Sequence, residues 1–229
     1  MAHFDIVCLA NSRKLGGHCV AGLRLDGAGW VRPVGAPADG VLWPRDYTLT
    51  TGKAVRPLEV VKVSVRSHRP APHQPENWVI DGAPWAPSAC PARATLLSVL
   101  RQGVVAGPEL LTGCADRVPY ARFEKDPAAA SLALVAPEDL YLYHHMKASG
   151  KLQAHGRFSL GAPDRLTLYD LPITEPHWQD AMRRYNPRTL RQADAKFLVT
   201  ISLSEPYAEE CYKLIAAIMP LPRYLGAEL

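Results

Sequence analysis

The sequence predicts a mainly β fold with a few helices (α+β), arranged as two small β-barrels packed through a helical junction. Three observations carry this expectation. Short apolar runs, the clearest with period 2, recur along the chain and are punctuated by turn residues. Strand follows strand without the helical crossovers that a parallel, doubly wound sheet demands. The 21 prolines against four phenylalanines in 229 residues divide the chain into pieces that suit strands and loops better than a helical bundle. About five strands on either side of one helical segment match two closed barrels. Strand counting alone does not separate that arrangement from one all-β sandwich.

In chain order, 4–9, 19–25 and 30–34 read as the strands of a meander, with Asp26-Gly27-Ala28-Gly29 as the second turn. The stretch 35–56 is rich in glycine, proline and polar residues, and Trp43 and Tyr47 are expected to pin it to the barrel. Alternation over 58–65 sends Lys62 and Ser64 to one face of a strand. A long loop follows from Ser67 to Pro91, with a short strand at 78–80; loops of that length are usually functional. Leu96, Leu97, Val99 and Leu100 fall at helical spacing within 92–102, ahead of Gly103. Further strands are expected over 132–135, 139–145, 151–160, 165–171 and 196–203. A helix or helical loop is expected between 175 and 192, and a terminal helix over 209–219, where Tyr212, Ile215, Ala216 and Met219 share a helical face. The divisions that follow are 1–90 for the first barrel with its long loop, 91–130 for the helical junction, and 131–229 for the second barrel with its C-terminal helix.

Chemistry concentrates at the first turn. Gly16 and Gly17 permit positive φ and the close approach of a ligand to bare backbone, while Asn11, Ser12, Arg13, Lys14 and His18 place donors around the same tip. An anion fits that set. Read as turn chemistry alone, the glycines serve geometry and the two cations are solvated loop charges. On residue type alone Trp30 is a core aromatic and Arg32 a surface charge.

The run Ile6-Val7-Cys8-Leu9-Ala10-Asn11-Ser12-Arg13-Lys14 continues through Gly17, Cys19 and Ala21-Gly22 to Trp30-Val31-Arg32-Pro33-Val34. It resembles the start of a bacterial family, the dual OB-containing domain, where OB denotes the oligonucleotide/oligosaccharide-binding fold. The far end resembles it too, in Leu171-Pro172-Ile173-Thr174-Glu175-Pro176 with Trp178, in Ser202-Leu203-Ser204-Glu205-Pro206-Tyr207, and in Cys211-Tyr212-Lys213-Leu214-Ile215-Ala216-Ala217-Ile218. The likeness brackets nearly the whole chain. It implies two OB-like barrels and a nucleic-acid ligand, and it carries over no catalytic residues. At His18 the chain departs from the arginine expected of relatives. With the resemblance, Arg13, Lys14 and Arg32 are expected to meet phosphates, and Asn11, Ser12 and the backbone near Gly16 and Gly17 to donate hydrogen bonds. Trp30 is expected to stack on a base, a contact worth about 1–3 kcal/mol. Lys213, inside a resembling block, is a further phosphate contact, set against the ordinary reading of a lysine stem lying along an apolar face.

Other features narrow the field. Arg183, Arg184, Arg188 and Arg191 form the densest basic run, either a phosphate-tracking edge or the wet face of a helix. A metal would use His68, His73, His144, His145 or His155, but adjacent strand residues point to opposite faces, and no metal site is expected. Glycine-rich loops of the nucleotide-cofactor type are missing, so no cofactor is expected. Five cysteines at long, irregular gaps suggest neither a disulfide framework nor a zinc site. Cys8 or Cys19 near His18 is what a thiolate nucleophile would need, although burial in its apolar run would leave Cys8 inert. No run approaches the roughly 18 apolar residues of a membrane helix, and the start lacks a signal-peptide layout. A cytoplasmic protein without membrane contact is expected. The formal charge of +4 allows a local cationic groove, not a basic field over the whole surface.

The leading functional reading is a nucleic-acid-binding protein that holds single-stranded or otherwise distorted DNA or RNA between a cationic phosphate-binding hairpin and aromatic strand faces. Its rival is an enzyme acting on a nucleotide or modified base. That reading predicts a concave pocket at the hairpin tip, closed by the 67–91 loop, with Cys19 or His18 facing in. A protein-interaction module serving a larger system would instead show a flat apolar patch and no anion pocket.

Overall fold

The computed structural model describes residues 1–147, 149–183, 191–192 and 196–221. Its first part is a meander of β1 (Ala2–Lys14), β2 (Gly17–Arg24) and β3 (Trp30–Val34). A connection carrying the one-turn helix α1 (Pro44–Tyr47) leads to β4 (Val60–His68), β5 (Asn77–Ile80) and the short β6 (Ala86–Pro87). The hydrogen-bonded order is β1-β2-β3-β5-β4, and β4 pairs back onto β1 from Ala2↔Val65 to Val7↔Val60, so five strands close into a barrel without a free edge. The one parallel contact in that circuit is β3 against β5.

Strand β1 serves two neighbours. Its first half pairs with β4 and its second with β2, and a bulge between Cys8 and Ala10 lets it bend from one to the other. Alternate residues Phe4, Ile6 and Cys8 join Val20, Val31, Val61, Val63, Val65 and Trp85 in the barrel core. The residues between them, Val7 and Leu9, are buried on the opposite face, in a second apolar layer.

The junction supplies α2 (Arg93–Gly103), then β7 (Arg117–Pro119) and α3 (Tyr120–Lys125). The second part contains β8 (Leu132–Val135), β9 (Tyr141–Met146), β10 (Leu152–Ala162), β11 (Arg165–Pro172), α4 (Pro176–Met182), β12 (Arg191–Gln192), β13 (Phe197–Leu203) and β14 (Glu210–Pro220). They form two curled sheets, β11-β10-β9-β12 and β7-β14-β13-β8. If β8 and β9 are taken as two halves of one strand, the circuit repeats that of the first barrel. The β8 half pairs with β13, the β9 half pairs with β10, and a parallel bridge Ile173↔Ile215 joins the β11 end to β14. The chain is therefore two OB-like barrels, one fully closed and one seamed.

The expected terminal helix over 209–219 is strand β14, paired with β13 from Phe197↔Pro220 to Leu203↔Lys213. Ile215 and Ile218 enter the core of the second barrel, while Ala216, Ala217 and Met219 face the layer between barrels. Burial on both faces removes the alternation that marks a strand, and an alanine-rich apolar run then reads as helix.

That shared layer joins the halves. Val7, Leu9 and Leu23 from the first barrel meet Val99 and Leu100 of α2 and Leu132, Leu134, Leu198 and Met219 of the second. Thr200 Oγ1 donates to the Leu9 carbonyl at the β1 bulge (2.6 Å), and Arg13 N donates to Thr174 O (3.0 Å). The barrels thus pack directly as well as through the helix. Among the described residues no helix is long and apolar enough to cross a membrane.

Candidate functional site

Between the barrels lies a cavity of about 700 Å³. The first barrel contributes the β1–β2 turn, Cys19 on β2, Arg32 on β3 and Gln74 from the β4–β5 loop; the second contributes Lys147 from the β9–β10 turn, Gln153 on β10 and Ser204 to Tyr207 from the β13–β14 loop. In the repeated circuit these are corresponding parts: the turn after the first strand, the second strand, and the loop before the fifth. Those parts are where OB folds take oligonucleotides and oligosaccharides. Lys14 and Lys147 even hold matching turn positions.

Exposure grades along the lining. Leu15 (73%) and Tyr207 (75%) stand at the mouth, whereas Arg32 and Gln74 (2% each) form the floor. Among the described residues four cations line the space, Arg13, Lys14, Arg32 and Lys147, against one carboxylate, Glu205. Glu205 straps the lip: its Oε1 accepts from Lys14 Nζ (2.8 Å) and its Oε2 contacts His73 Nε2 (2.9 Å). Burial pushes the Glu205 carboxyl up, but the hydrogen bonds from His73 and Lys14 outweigh it and hold the group at about 2. Arg13 reaches Asp180 Oδ2 at 3.4 Å in a half-exposed pair, a contact worth about 0–1 kcal/mol.

Arg32 points inward, contrary to its reading as a surface charge. Its Nη2 donates to Ser131 Oγ (2.7 Å) and Ser202 Oγ (3.3 Å), its Nη1 to Cys19 Sγ (3.5 Å), and its Nε has no hydrogen-bond partner. Ser131 in turn donates to the buried Glu76, from Oγ at 2.7 Å and from N at 2.6 Å.

The other predicted residues divide. Ser12, Arg13, Lys14 and Arg32 line the cavity. Asn11 and His18 turn away: Asn11 Nδ2 donates to Val55 O (2.8 Å), and the His18 ring stacks on Tyr47 at 4.7 Å. Burial, helped by Arg13, lowers the His18 pKa. Gly17 is required by packing, since a Cβ there would sit 2.4 Å from Val41 Cγ1 and 2.5 Å from Leu42 O. Gly16 and Leu15 both take positive φ in a tight turn. Trp30 lies on another flank, beside a depression that includes Arg24, His68 and Trp78. Lys213 is buried in the second barrel, with Nζ on Gly113 O (2.6 Å) and 5.6 Å above the Tyr169 ring; burial lowers its pKa to about 8.

Of the basic run, Arg183 sits 3.4 Å from Asp180 Oδ1. Arg184 and Arg188 lie outside the described residues, as does the side chain of Arg191. His155 and Arg157 converge on Asp170 on the outer face of β10 and β11. Among the described residues no group of three His, Cys, Asp or Glu side chains is placed to hold a metal. Cys8 is fully buried, and its thiol is pushed up to about 12. Sequence reasoning missed Lys147, Gln153 and Gln74, for which nothing local gives a signal. Glu205 and Tyr207 stood within a resembling block but were not singled out as ligand contacts.

The family model described as the dual OB-containing domain matches residues 4–218, and the chain belongs to that family. No curated protein and no solved structure matches the chain.

Proposed function

Starting from a dual OB-containing protein whose two ligand faces open onto one cavity, we propose that it binds single-stranded or otherwise distorted nucleic acid in the cleft between its barrels. The observation that carries this reading is the convergence of corresponding loops from both barrels on a space with excess positive charge. Arg13, Lys14 and Lys147 meet backbone phosphates at the lip, and the exposed ring of Tyr207 stacks on a base. Leu15 adds an apolar contact at the tip of the hairpin. A pocket of this size takes a ligand of a nucleotide or two, so the strand enters unpaired. The enzymatic alternative keeps Cys19 in the lining but loses its expected base, because His18 is stacked on Tyr47.

The test is a salt series with labelled single-stranded DNA and RNA. Binding should weaken with salt at a slope of about −0.7 per neutralised phosphate, and replacing Arg13, Lys14 and Lys147 together by alanine should reduce that slope by about 2. Absence of binding at low salt, or a slope unchanged in the triple variant, overturns the proposal.

A further inference from the structure

A buried guanidinium needs a counter-charge and partners for its five donors. Arg32 has neither in full. Nε is unpartnered, Nη1 meets only the weakly accepting Cys19 sulfur, and among the described residues no carboxylate forms an ion pair with it. Its nearest acidic neighbour in the hydrogen-bond network, Glu76, is reached only through the hydroxyl of Ser131. Yet Arg32 lies in the wall of a cavity that opens to solvent between Leu15 and Tyr207. Beside it stand the hydroxyls of Ser12 and Ser202, both nearly buried, and Ser12 faces Cys19 across the β1–β2 pair.

We infer that this inner end of the cavity receives a terminal phosphate, the phosphomonoester at the end of a nucleic-acid strand. Arg32 is the anchor, and Ser12 is a supporting donor. The inference rests on the strand-binding reading and specifies how the strand is held. A monoester carries about −1.5 to −2 charges and three acceptor oxygens, against one charge for an internal phosphodiester, and it matches the planar fork of arginine. Depth argues the same way. An internal phosphate would have to draw nucleosides from both sides down to a floor that is 2% exposed, whereas a strand end needs only its last nucleotide inside.

The experiment uses the full chain and one oligonucleotide sequence in three forms, with a 5′-phosphate, with a 3′-phosphate, and with neither. One phosphorylated form should bind at least tenfold tighter than the bare strand, and R32K should bring its affinity down to that of the bare strand. Independently of any variant, that form should slow alkylation of Cys19, mapped by mass spectrometry, while the exposed Cys90 and Cys114 react at unchanged rates. Equal affinity for all three forms, with the salt slope still set by Arg13, Lys14 and Lys147, overturns the end site and leaves strand binding standing. If inorganic phosphate at equal concentration protects Cys19 as well as the phosphorylated strand does, the occupant is free phosphate and the strand-end assignment falls. If no strand binds at any salt concentration, strand binding falls and this assignment with it.

Discussion

The two barrels follow one circuit but differ in how firmly it is closed. In the first, β1 runs unbroken for 13 residues and the parallel seam of β3 with β5 spans three residue pairs, Arg32↔Asn77 to Val34↔Val79. In the second, the matching first strand is split into β8 and β9 around Pro137, which has no N–H to give a ladder. Its seam is a single bridge, Ile173↔Ile215. The buried floor, Arg32 with Gln74, stands on the closed barrel, whereas the exposed lip is shared, Arg13, Lys14 and Leu15 of the closed barrel meeting Lys147 and Tyr207 of the seamed one. A buried charge must be held by a rigid ladder if it is to stay aimed, whereas lip contacts tolerate local opening.

The sharpest way to break the comparison is at the corresponding turns. Gly17 is closed in by Val41 and Leu42, while Gly150, in the β9–β10 turn, has positive φ and open space around it. Gly17→Ala should therefore lower stability in denaturant unfolding by about 3 kcal/mol, through overpacking against backbone. Gly150→Ala should cost about 1 kcal/mol, the ordinary penalty of a left-handed residue. Equal costs would mean that the close approach at Gly17 relaxes freely.

Next in size is the base contact. Tyr207→Ala should weaken single-strand binding by about 1–3 kcal/mol in a titration, and Trp30→Ala by much less, because Trp30 sits on a different flank. The reverse order would move the strand from the cleft to the side of the first barrel.

The smallest effect is the strap. The folded Glu205 carboxyl titrates at about 2 against an ordinary 4.5, so the unfolded chain binds more protons in that window. The contribution of Glu205 to stability is present above pH 4.5 and is lost as pH falls through 2. Its side chain is 40% exposed, so solvent screens the pair and the loss is modest. Glu205→Gln should flatten this acid limb in thermal melts across pH 2 to 5; an unchanged limb would show that Lys14 and His73 contribute nothing through it.

Local pattern was enough for much of the fold. Alternation located the strand that became β4, glycines located the β1–β2 turn, and helical spacing located α2, because each depends only on neighbours in the chain. It failed at β14, where both faces are covered by partners far away in sequence. It also misread the direction of side chains within correctly placed strands: Asn11 joins Tyr47's neighbour His18 and Trp30 lies on another flank, choices made by what packs opposite.

By itself, then, the sequence determined a chain of short strands and a hairpin bearing Arg13 and Lys14, both written in local spacing, and, through the blocks that resemble it, membership of a two-barrel family. Only the tertiary structure decided that Lys14 and Lys147 share one cavity, that Arg32 is its floor and that Trp30 is not part of it. The physical reason is that which face of a strand is buried, and which loops meet across a cleft, depends on surfaces contributed by residues more than a hundred positions apart.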